Sequence, residues 1–426
     1  MDTQQPAQPK MKFPHRHLIS ALLTLALIIL GTVAVILYGM GYRLGFNTGT
    51  PKIAHTGILN ASSSPRGALV YVDGHPTSAT NNTVNLAPGK YTISMSKEGY
   101  QNWQKDVVIK EQLVTNADAL LIPSAPTLQS ISTVGINSPV LDPSGSKLAF
   151  TVASQSAKTN GIYVLDMSSH VFPVFPIQSS STQIVDDTLD SFSQAKLTWS
   201  PDGQQLLASI SGQLHSPTTY LLNAQGMNDA PTDVTATLPT LENDWSNQKA
   251  DKDRLRLQSL QAKVRTLLEK DFNVIAWSPD DTKVLYQAAQ DTTLPVIIQP
   301  RRIGNNMLYE VRTIKKGGIY VYNITEDVNT KILDTSPASL PSASCAITNA
   351  DCISPISWFP DSEHLLYVHD HKINLVETDG SNMTTVYAGP FRGQYVYPWP
   401  DGTKLVIVTN LDNTNIPPTF YTISLQ

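Results

Sequence analysis

Two imidazoles and a carboxylate lie side by side in the tripeptide His369-Asp370-His371. These side chains can bind zinc, but a zinc site needs three or four ligands from the protein. No third His or Cys adjoins the tripeptide in the sequence. A short polar segment between two apolar runs is also typical of a hairpin turn. We therefore expect a turn here, and neither a metal nor another cofactor in the protein.

Two adjacent arginines, Arg301 and Arg302, lie between Pro300 and Gly304. A guanidinium group can hold a carboxylate or a phosphate through two parallel hydrogen bonds. The alternative interpretation is an exposed basic loop without a ligand. The candidate residues for binding a ligand or a partner protein are Arg301, Arg302, His369, His371 and Trp245.

A glycan hydrolase would need two carboxylates roughly 5–9.5 Å apart. Asp186, Asp187 and Asp190 are close enough in the sequence to be candidates. Five further aspartates lie next to the proline of a repeated turn, which explains them without catalysis. They are Asp142, Asp202, Asp280, Asp361 and Asp401. The chain contains no Gly-x-Ser-x-Gly nucleophile motif. The sequence thus predicts a protein that is not an enzyme, with a glycan hydrolase as the alternative.

The turn that holds these aspartates belongs to a unit that occurs five times. Trp199–Ala208, Trp277–Tyr286 and Trp358–Tyr367 share an aromatic residue, a Pro-Asp turn and a following apolar run. Asp142–Phe150 and Pro400–Val408 are looser copies. Pro and Asp suit the central positions of a tight turn. Recurring strand-turn-strand units with an aromatic anchor predict a β-propeller of five blades, or six if one blade is degenerate.

The spacing of the units indicates where residues are inserted. Successive repeat prolines are 58, 78, 81 and 40 residues apart, whereas a plain blade takes roughly 40–45. If the strands of a blade are called a to d, the a–b and c–d turns share one face and the b–c and d–a loops the other. All long segments are predicted on the b–c and d–a face, which we expect to be the binding face. These segments are Ser179–Gln194, Thr240–Asp271, Ala289–Gly317, Ser336–Ser354, His369–His371 and Asn410–Pro418.

The chain ends on Phe420–Leu425, which is the third strand of its blade. We expect Leu128–Ile131, within Pro126–Thr133, to supply the missing fourth strand, because closing the ring removes an exposed strand edge.

The segment Thr240–Asp271 contains no Gly or Pro and is predicted to be helical. Leu257, Leu260, Val264 and the pair Leu267-Leu268 repeat at intervals of three and four residues. Such a stripe favours a helix packed against the propeller. A helix that docks a partner protein is the alternative.

A membrane anchor is predicted at Leu18–Met40, which has 23 residues and no charge. About 20 apolar residues span a bilayer. A cleavable signal peptide is the alternative, but its apolar core would be only about 7–15 residues long. Lys10, Lys12 and Arg16 precede the segment, so the positive-inside rule places the N-terminus in the cytoplasm.

Composition narrows the class of partner. The net charge is −5 with a pI near 6.0, which gives no reason to expect nucleic acid. Charged residues make up 15 % of the chain, compared with about 25 % in an average protein, and this favours an exported β protein. In that compartment Cys345 and Cys352 are expected to form a disulfide that closes a short loop.

The segment after the anchor resembles the PEGA domain family. The matching residues are Pro65-Arg66-Gly67-Ala68, Leu86-Ala-Pro-Gly-Lys-Tyr91 and Glu98-Gly-Tyr-Gln-Asn-Trp103. The resemblance implies a small β-sandwich of exported or membrane-tethered prokaryotic proteins, without catalytic residues. The five repeats resemble those of TolB-type propellers, and that family is associated with extracytoplasmic protein binding.

The sequence therefore predicts an all-β protein with one membrane anchor and one helical insertion. The predicted segments are a cytoplasmic tail (1–17), a transmembrane helix (18–40), a linker (41–56), a PEGA-like sandwich (57–124) and a propeller (125–426) with a helical insertion (240–271). The expected function is a membrane-tethered, extracytoplasmic binding or scaffold protein, whose partner is an envelope protein or a cell-wall polymer. A structural spacer is a further alternative.

Overall fold

A computed structural model describes residues 15–39, 43–47, 50–54, 56–132, 134–153, 156–168, 181–211, 217–301, 308–334 and 355–426. The chain begins with helix α1 (His15–Gly39). Its 25 residues correspond to roughly 37 Å, which is enough for a hydrocarbon layer of about 30 Å. The window Ile19–Ile36 has a mean hydropathy of 2.7 and is fully exposed. Thr32 donates its hydroxyl to the carbonyl of Ile28 at 2.8 Å, so this polar group is satisfied inside the helix. Helix α1 is a candidate membrane span by length and composition.

The segment predicted as a linker contains a short hairpin. Strand β1 (Arg43–Asn47) pairs antiparallel with β2 (Thr50–Ala54). Only a few residues separate the two strands, and a Gly in the intervening sequence suits a tight turn. The sequence analysis predicted a linker here and did not predict this hairpin.

A two-sheet sandwich follows the hairpin. Its strands are β3 (Gly57–Ser64), β4 (Leu69–Val72), β5 (His75–Ala79), β6 (Asn82–Leu86), β7 (Gly89–Ser96), β8 (Trp103–Ile109) and β9 (Val114–Leu120). One sheet has the order β6-β3-β9 and the other β5-β4-β7-β8. Alternate residues point into a core that includes Leu59, Val70, Ile93 and Trp103. The predicted antiparallel sandwich is confirmed, except that β3 and β9 pair in parallel.

Of the remaining described strands, all but two form five four-stranded sheets, which are the blades of a propeller. Strand β10 (Leu128–Ser130) comes first in the chain and belongs to the last blade. Blade 1 consists of β11 (Asn137–Leu141), β12 (Lys147–Val152), β13 (Gly161–Asp166) and β14 (Ser181–Asp186). Blade 2 consists of β15 (Lys196–Trp199), β16 (Gln205–Ile210), β17 (Thr218–Asn223) and β18 (Thr232–Asp233), and a 3-10 turn (Phe192–Gln194) precedes it.

Two helices, α2 (Leu238–Ser259) and α3 (Ala262–Lys270), lie between blades 2 and 3 in the sequence. Blade 3 consists of β19 (Phe272–Trp277), β20 (Lys283–Ala288), β23 (Ile319–Asn323) and β24 (Val328–Leu333), with a hairpin of β21 (Thr292–Thr293) and β22 (Thr313–Ile314) between its second and third strands. Blade 4 consists of β25 (Ile356–Trp358), β26 (His364–His369), β27 (Lys372–Glu377) and β28 (Thr384–Tyr387). Blade 5 consists of β29 (Val396–Pro398), β30 (Lys404–Thr409), β31 (Thr419–Ser424) and β10.

The predicted closure of the ring is confirmed. Leu128 pairs with Ile423 and Ser130 with Tyr421, which joins the first strand of the propeller to the last. An antiparallel fourth strand covers the edge that β31 would otherwise expose.

The aromatic residue of the repeat connects neighbouring blades. The indole of Trp199 donates to the carbonyl of Val140 in blade 1 at 3.0 Å. The indole of Trp358 donates to Ala276 of blade 3 at 3.2 Å. A Trp can fill an apolar junction while its N–H satisfies a carbonyl there, which explains why the repeat carries one. Apolar side chains fill the junctions of blades 1–2, 3–4, 4–5 and 5–1 directly.

The helices fill the junction of blades 2 and 3. Trp245 of α2 packs against Leu207 and Leu221 of blade 2. Val264 and Leu267 of α3 lie in one core with the aromatic residues of blade 3. The interpretation that the stripe packs against the propeller is thus confirmed.

One helix was predicted over this segment, but there are two. Leu260 and Gln261 have extended backbone angles and separate α2 from α3. The guanidinium of Arg265 donates to the carbonyls of Leu257 and Leu260 at the end of α2. The break turns the chain so that α3 packs on blade 3.

The prediction that every long segment lies on one face is wrong in two places. Ser181–Asp186 is the d strand of blade 1, with Ile184 and Val185 buried, so Ser179–Gln194 is not one loop. Helix α2 also reaches the turn side, where Arg256 forms an ion pair with Asp281 at 2.8 Å.

Candidate functional site

A cleft of about 650 Å³ opens between blades 4 and 5 on the side of the b–c and d–a loops. Three segments line it: the β26–β27 turn (370–372), the connection from blade 4 to blade 5 (388–392), and Thr409, Asn410 and Asp412 after β30. We call it the blade 4–5 cleft. Two features predicted from the sequence meet in this cleft: the candidate binding residue His371 and the loop Asn410–Pro418.

The β26–β27 turn confirms the predicted polar hairpin. Asp370 and His371 have positive φ angles of 48° and 56°, as the two central residues of a type I′ turn require. His369 stacks on Tyr367 at 5.6 Å between ring centroids, and its Nε2 lies 3.2 Å from Asp370 Oδ2. The turn therefore presents His371 to the cleft and holds His369 against its own strand.

Hydrogen bonds fix the other two walls. The backbone N–H of Arg392 donates to Val408 at 2.8 Å, and the Thr409 hydroxyl donates to the carbonyl of Pro390 at 2.6 Å. Phe391 is buried in the core that blades 4 and 5 share. The cleft is therefore built by backbone contacts and does not need a ligand to form, as is usual for binding pockets.

The charges in the cleft are balanced in number, and three of the four side chains have no ionic partner among the described residues. Lys372 and Arg392 supply two positive charges, and Asp370 and Asp412 supply two negative ones. Within the described segments, Lys372, Arg392 and Asp412 make no ion pair or side-chain hydrogen bond. Burial raises the pKa of Tyr387, and the charge of Asp412 acts in the same direction. The cleft therefore offers both donors and acceptors to a bound molecule.

Arg301 lies in a different environment. Its guanidinium donates to both oxygens of Glu310, at 2.7 and 2.6 Å. Arg312 also binds Glu310, and it reaches Asp327 at 3.0 Å. Burial alone would raise the pKa of Glu310, but the hydrogen bonds from Arg301 and Arg312 lower it. Arg301 thus holds the blade 3 insertion in place, and Arg302 lies outside the described residues.

The same network anchors the insertion to the edge of blade 3. Asp327 is 1 % exposed and accepts the N–H groups of Ile297 and Ile298 and the hydroxyl of Tyr322. Val311 donates its N–H to Asn329 of β24 at 2.7 Å. The insertion therefore folds over the outer strand of the blade and covers part of its edge.

The other candidate residues either pack in the core or lie outside the residues that the structure describes. Trp245 is 7 % exposed and belongs to the core beside blade 2, so its side chain does not face the surface where a partner would dock. Cys345 and Cys352 lie outside the described residues, and their disulfide stays a prediction.

The aspartates considered for glycan hydrolysis act as acceptors in local turns. Asp186 accepts from the backbone and hydroxyl of Thr188. Asp187 accepts from the backbone and hydroxyl of Ser193 at 2.8 and 2.6 Å. Asp190 accepts from the hydroxyl of a Tyr in blade 2. Among the described residues, no three His, Cys, Asp or Glu are grouped to hold a metal.

The sandwich is fixed to blade 4 by a buried polar contact. The indole of Trp103 donates to Glu377 at 2.6 Å, and Lys105 bridges Glu377 and Asp379 at 2.5 and 2.6 Å. Burial alone would lower the pKa of Lys105, but the two carboxylates raise it well above its usual range. Gln101 adds a hydrogen bond to Thr385 of β28. The sandwich thus contacts the turn side of blade 4, and the cleft lies on the other side of that blade.

Lys372, Arg392 and Asp412 were not among the candidate residues predicted from the sequence. Each lies in or next to a b–c or d–a connection, and these connections were predicted to share one side of the propeller. Arg392 lies in a connection too short to be noticed as an insertion.

Comparison with known proteins gives one family match and several similar solved structures. A family model described as the PEGA domain matches residues 56–124. TolB from Acinetobacter baumannii is similar at 14 % identity over 89 % of this chain and 66 % of that chain, with a TM-score of 0.22. The β-propeller domain of the Trilobed protease from Pyrococcus furiosus is similar at 12 % identity over 84 % and 79 %, with a TM-score of 0.17.

A structure of prolyl endopeptidases is also similar, at 10 % identity over 84 % of this chain and 48 % of that chain, with a TM-score of 0.24. No curated protein matches the chain. The propeller assignment itself rests on the five four-stranded sheets and their closure. Residues 56–124 of this chain are a PEGA domain, and they join a candidate membrane-spanning helix to a five-bladed β-propeller.

Proposed function

We propose that this chain is a membrane-tethered, extracytoplasmic binding protein that uses the b–c and d–a side of its propeller. Its partner is another envelope protein or a cell-wall polymer, and the chain is not an enzyme. The observation that carries the proposal is the blade 4–5 cleft, where Lys372, Arg392 and Asp412 have no ionic partner among the described residues, while Arg301 and Lys105 are matched. Unpaired charges in a preformed cleft are available to a ligand.

The charges around helix α1 support the proposed topology. Lys10, Lys12 and Arg16 precede the apolar segment, and only Arg43 and Lys52 follow it closely. By the positive-inside rule, the N-terminus is cytoplasmic and both domains are exported. The low fraction of charged residues is in keeping with this location.

The test is site-specific photo-crosslinking in intact cells of the native host. Leu411 adjoins the cleft and is 46 % exposed, so a photoreactive residue placed there will meet a bound partner. We expect a discrete cross-linked product that disappears when Lys372 and Arg392 are both changed to Glu. The measurement is the mass of the product, by immunoblot and mass spectrometry.

Met383 offers a matched control, because it is 49 % exposed and lies on the turn side of blade 4. A product of the same mass from both positions, or one that survives the charge reversals, would count against the proposal. Hydrolysis of cell-wall glycan by the purified protein would overturn the non-enzymatic assignment.

A further inference from the structure

The arrangement of charges in the blade 4–5 cleft restricts its ligand. Asp370 and Lys372 lie on the β26–β27 turn, Arg392 on the connection between the blades, and Asp412 on the facing loop. The β26–β27 turn thus supplies one charge of each sign, and the other two walls supply a second positive and a second negative charge. Carboxylates bind well to guanidinium and ammonium groups, and an ammonium group binds well to carboxylates.

Simpler ligands match only half of this set. A phosphate or another plain anion would be attracted by Lys372 and Arg392, but Asp370 and Asp412 would repel it. A metal ion would be attracted by Asp370 and Asp412, but Lys372 and Arg392 would repel it. A neutral glycan would leave four charges without ionic partners, and removing unpaired charges from water is costly. A molecule that carries both a carboxylate and an ammonium group matches all four.

The size and the edge of the cleft favour a peptide over a single amino acid. A volume of about 650 Å³ is within the range of roughly 300–1,000 Å³ that pockets for small organic ligands have. Leu411 and Ile416, 46 % and 50 % exposed, lie on the loop that forms one wall. They offer apolar contact to side chains next to the charged ends of the ligand.

The backbone of that wall is held in an unusual conformation. Leu411 and Asp412 have φ angles of 53° and 61°, and a bulky non-glycine residue such as Leu rarely adopts this region. The Thr409 hydroxyl accepts the N–H of Leu411 at 2.9 Å, and the Asn410 amide donates to Asn413 at 3.1 Å. Backbone outliers of this kind concentrate at binding sites. Here the conformation places Asp412 in the lining while Leu411 stays exposed.

From these observations we propose that the blade 4–5 cleft binds a short zwitterionic peptide. Lys372 and Arg392 hold its terminal carboxylate, and Asp370 and Asp412 hold its free amine. The inference rests on the proposed binding function and names the ligand class of that site.

The test is calorimetric titration of the full chain in detergent micelles with trialanine, N-acetyl-trialanine and trialanine amide. We expect trialanine to bind, and each blocked form to bind about tenfold or more weakly because it lacks one charge-assisted contact. Arg392→Gln should weaken the binding of trialanine to a similar extent and leave the binding of trialanine amide unchanged. Asp412→Asn should weaken the binding of trialanine and leave the binding of N-acetyl-trialanine unchanged. If a variant no longer distinguishes a blocked peptide from trialanine, the substituted residue binds the end that is blocked.

Lys249→Gln is the matched control, because Lys249 is an exposed residue in the middle of α2. The affinity of this variant for trialanine should equal that of the wild type. Equal binding of all three peptides, or tighter binding of inorganic phosphate alone, would overturn the inference. If trialanine does not bind but the Leu411 cross-link still depends on Lys372 and Arg392, the peptide inference is wrong and the binding proposal stands. If trialanine does not bind and the Leu411 cross-link does not depend on Lys372 and Arg392, both the peptide inference and the binding proposal are wrong.

Discussion

Two clusters of charged residues have the same composition and opposite environments. The blade 3 network contains Arg301, Glu310, Arg312 and Asp327. The blade 4–5 cleft also contains two basic and two acidic residues, Lys372, Arg392, Asp370 and Asp412. In the network every charge has an opposite charge within 3.0 Å, and the Asp327 carboxylate is buried. In the cleft the side chains are exposed, and three of the four have no such partner among the described residues.

The difference shows that pairing and burial separate a structural cluster from a binding site, whereas residue type does not. A matched, buried carboxylate stabilises the fold, because removing it leaves an uncompensated charge. An unmatched, exposed one contributes little to stability. The two clusters should therefore respond in opposite ways to the same substitution.

The largest expected effect is that of Asp327→Ala. The change removes the acceptor of Arg312, Tyr322 and two backbone N–H groups in a site that is 1 % exposed. Breaking a buried ion pair from one side costs about 3–5 kcal/mol. Thermal unfolding of the full chain in micelles, followed by circular dichroism, should show a clear drop in midpoint.

Asp412→Asn is the control on the cleft side, because Asn tolerates the φ angle of 61° that this residue has, and the free energy of unfolding of this variant should stay within about 0.5 kcal/mol of the wild type. Similar losses in both variants would show that the two clusters do not differ as the geometry indicates.

A third cluster sharpens the comparison, because its charges are matched across two domains. In Lys105→Met, Glu377 and Asp379 lose the cation that bridges the PEGA domain and blade 4. Glu377 is 6 % exposed and keeps its hydrogen bond from Trp103, so we expect a cost of about 1–3 kcal/mol. Hydrogen–deuterium exchange should become faster in β8 and in the β27–β28 turn.

Lys90→Met provides the control, since Lys90 is an exposed residue of the same sheet. If exchange in the β27–β28 turn is unchanged in Lys105→Met, the contact does not hold the two domains together.

Features with a local signal could be predicted from the sequence. The five blades follow from a turn whose Pro, Asp and aromatic residues recur at fixed positions. The closing strand at Leu128–Ser130 follows from the missing partner of the last strand. The short strands of the sandwich follow from period-two runs between Asp-Gly and Pro-Gly turns, and the resemblance to the PEGA family rests on its motif residues. In each case neighbouring residues decide the structure.

The charged clusters could not be assigned in this way. Arg301 attracted notice because it adjoins a second arginine, yet its partner Glu310 is nine positions away and becomes its neighbour only when the insertion folds. Arg392 is an isolated residue in a short connection, and two separate loops bring it opposite Asp412. Whether a charge is matched is a property of tertiary structure. The break at Leu260 is of the same kind, because Arg265 stabilises it only after the chain has turned.

The comparison can also be followed with pH, through a matched pair at a repeat turn of blade 4. His364 Nδ1 lies 2.6 Å from Asp361 Oδ2. Burial alone would lower the pKa of His364, but the hydrogen bond and the charge of Asp361 raise it, and Glu377 and Glu363 act in the same direction. The pKa of Asp361 is lowered against the effect of its burial, so this carboxylate is ionised throughout the neutral range.

The smallest expected effect is therefore a pH-dependent one. A histidine whose folded pKa is raised contributes stability below its unfolded pKa of about 6.5, and this contribution is lost as the pH rises through the folded pKa. The wild type should lose stability relative to His364→Gln between pH 5.5 and pH 8.5, by about 1 kcal/mol or less. Urea unfolding of both proteins at pH 5.5, 7.0 and 8.5 measures the difference. A gap that stays constant or widens with rising pH would mean that His364 is not stabilised as a cation by Asp361.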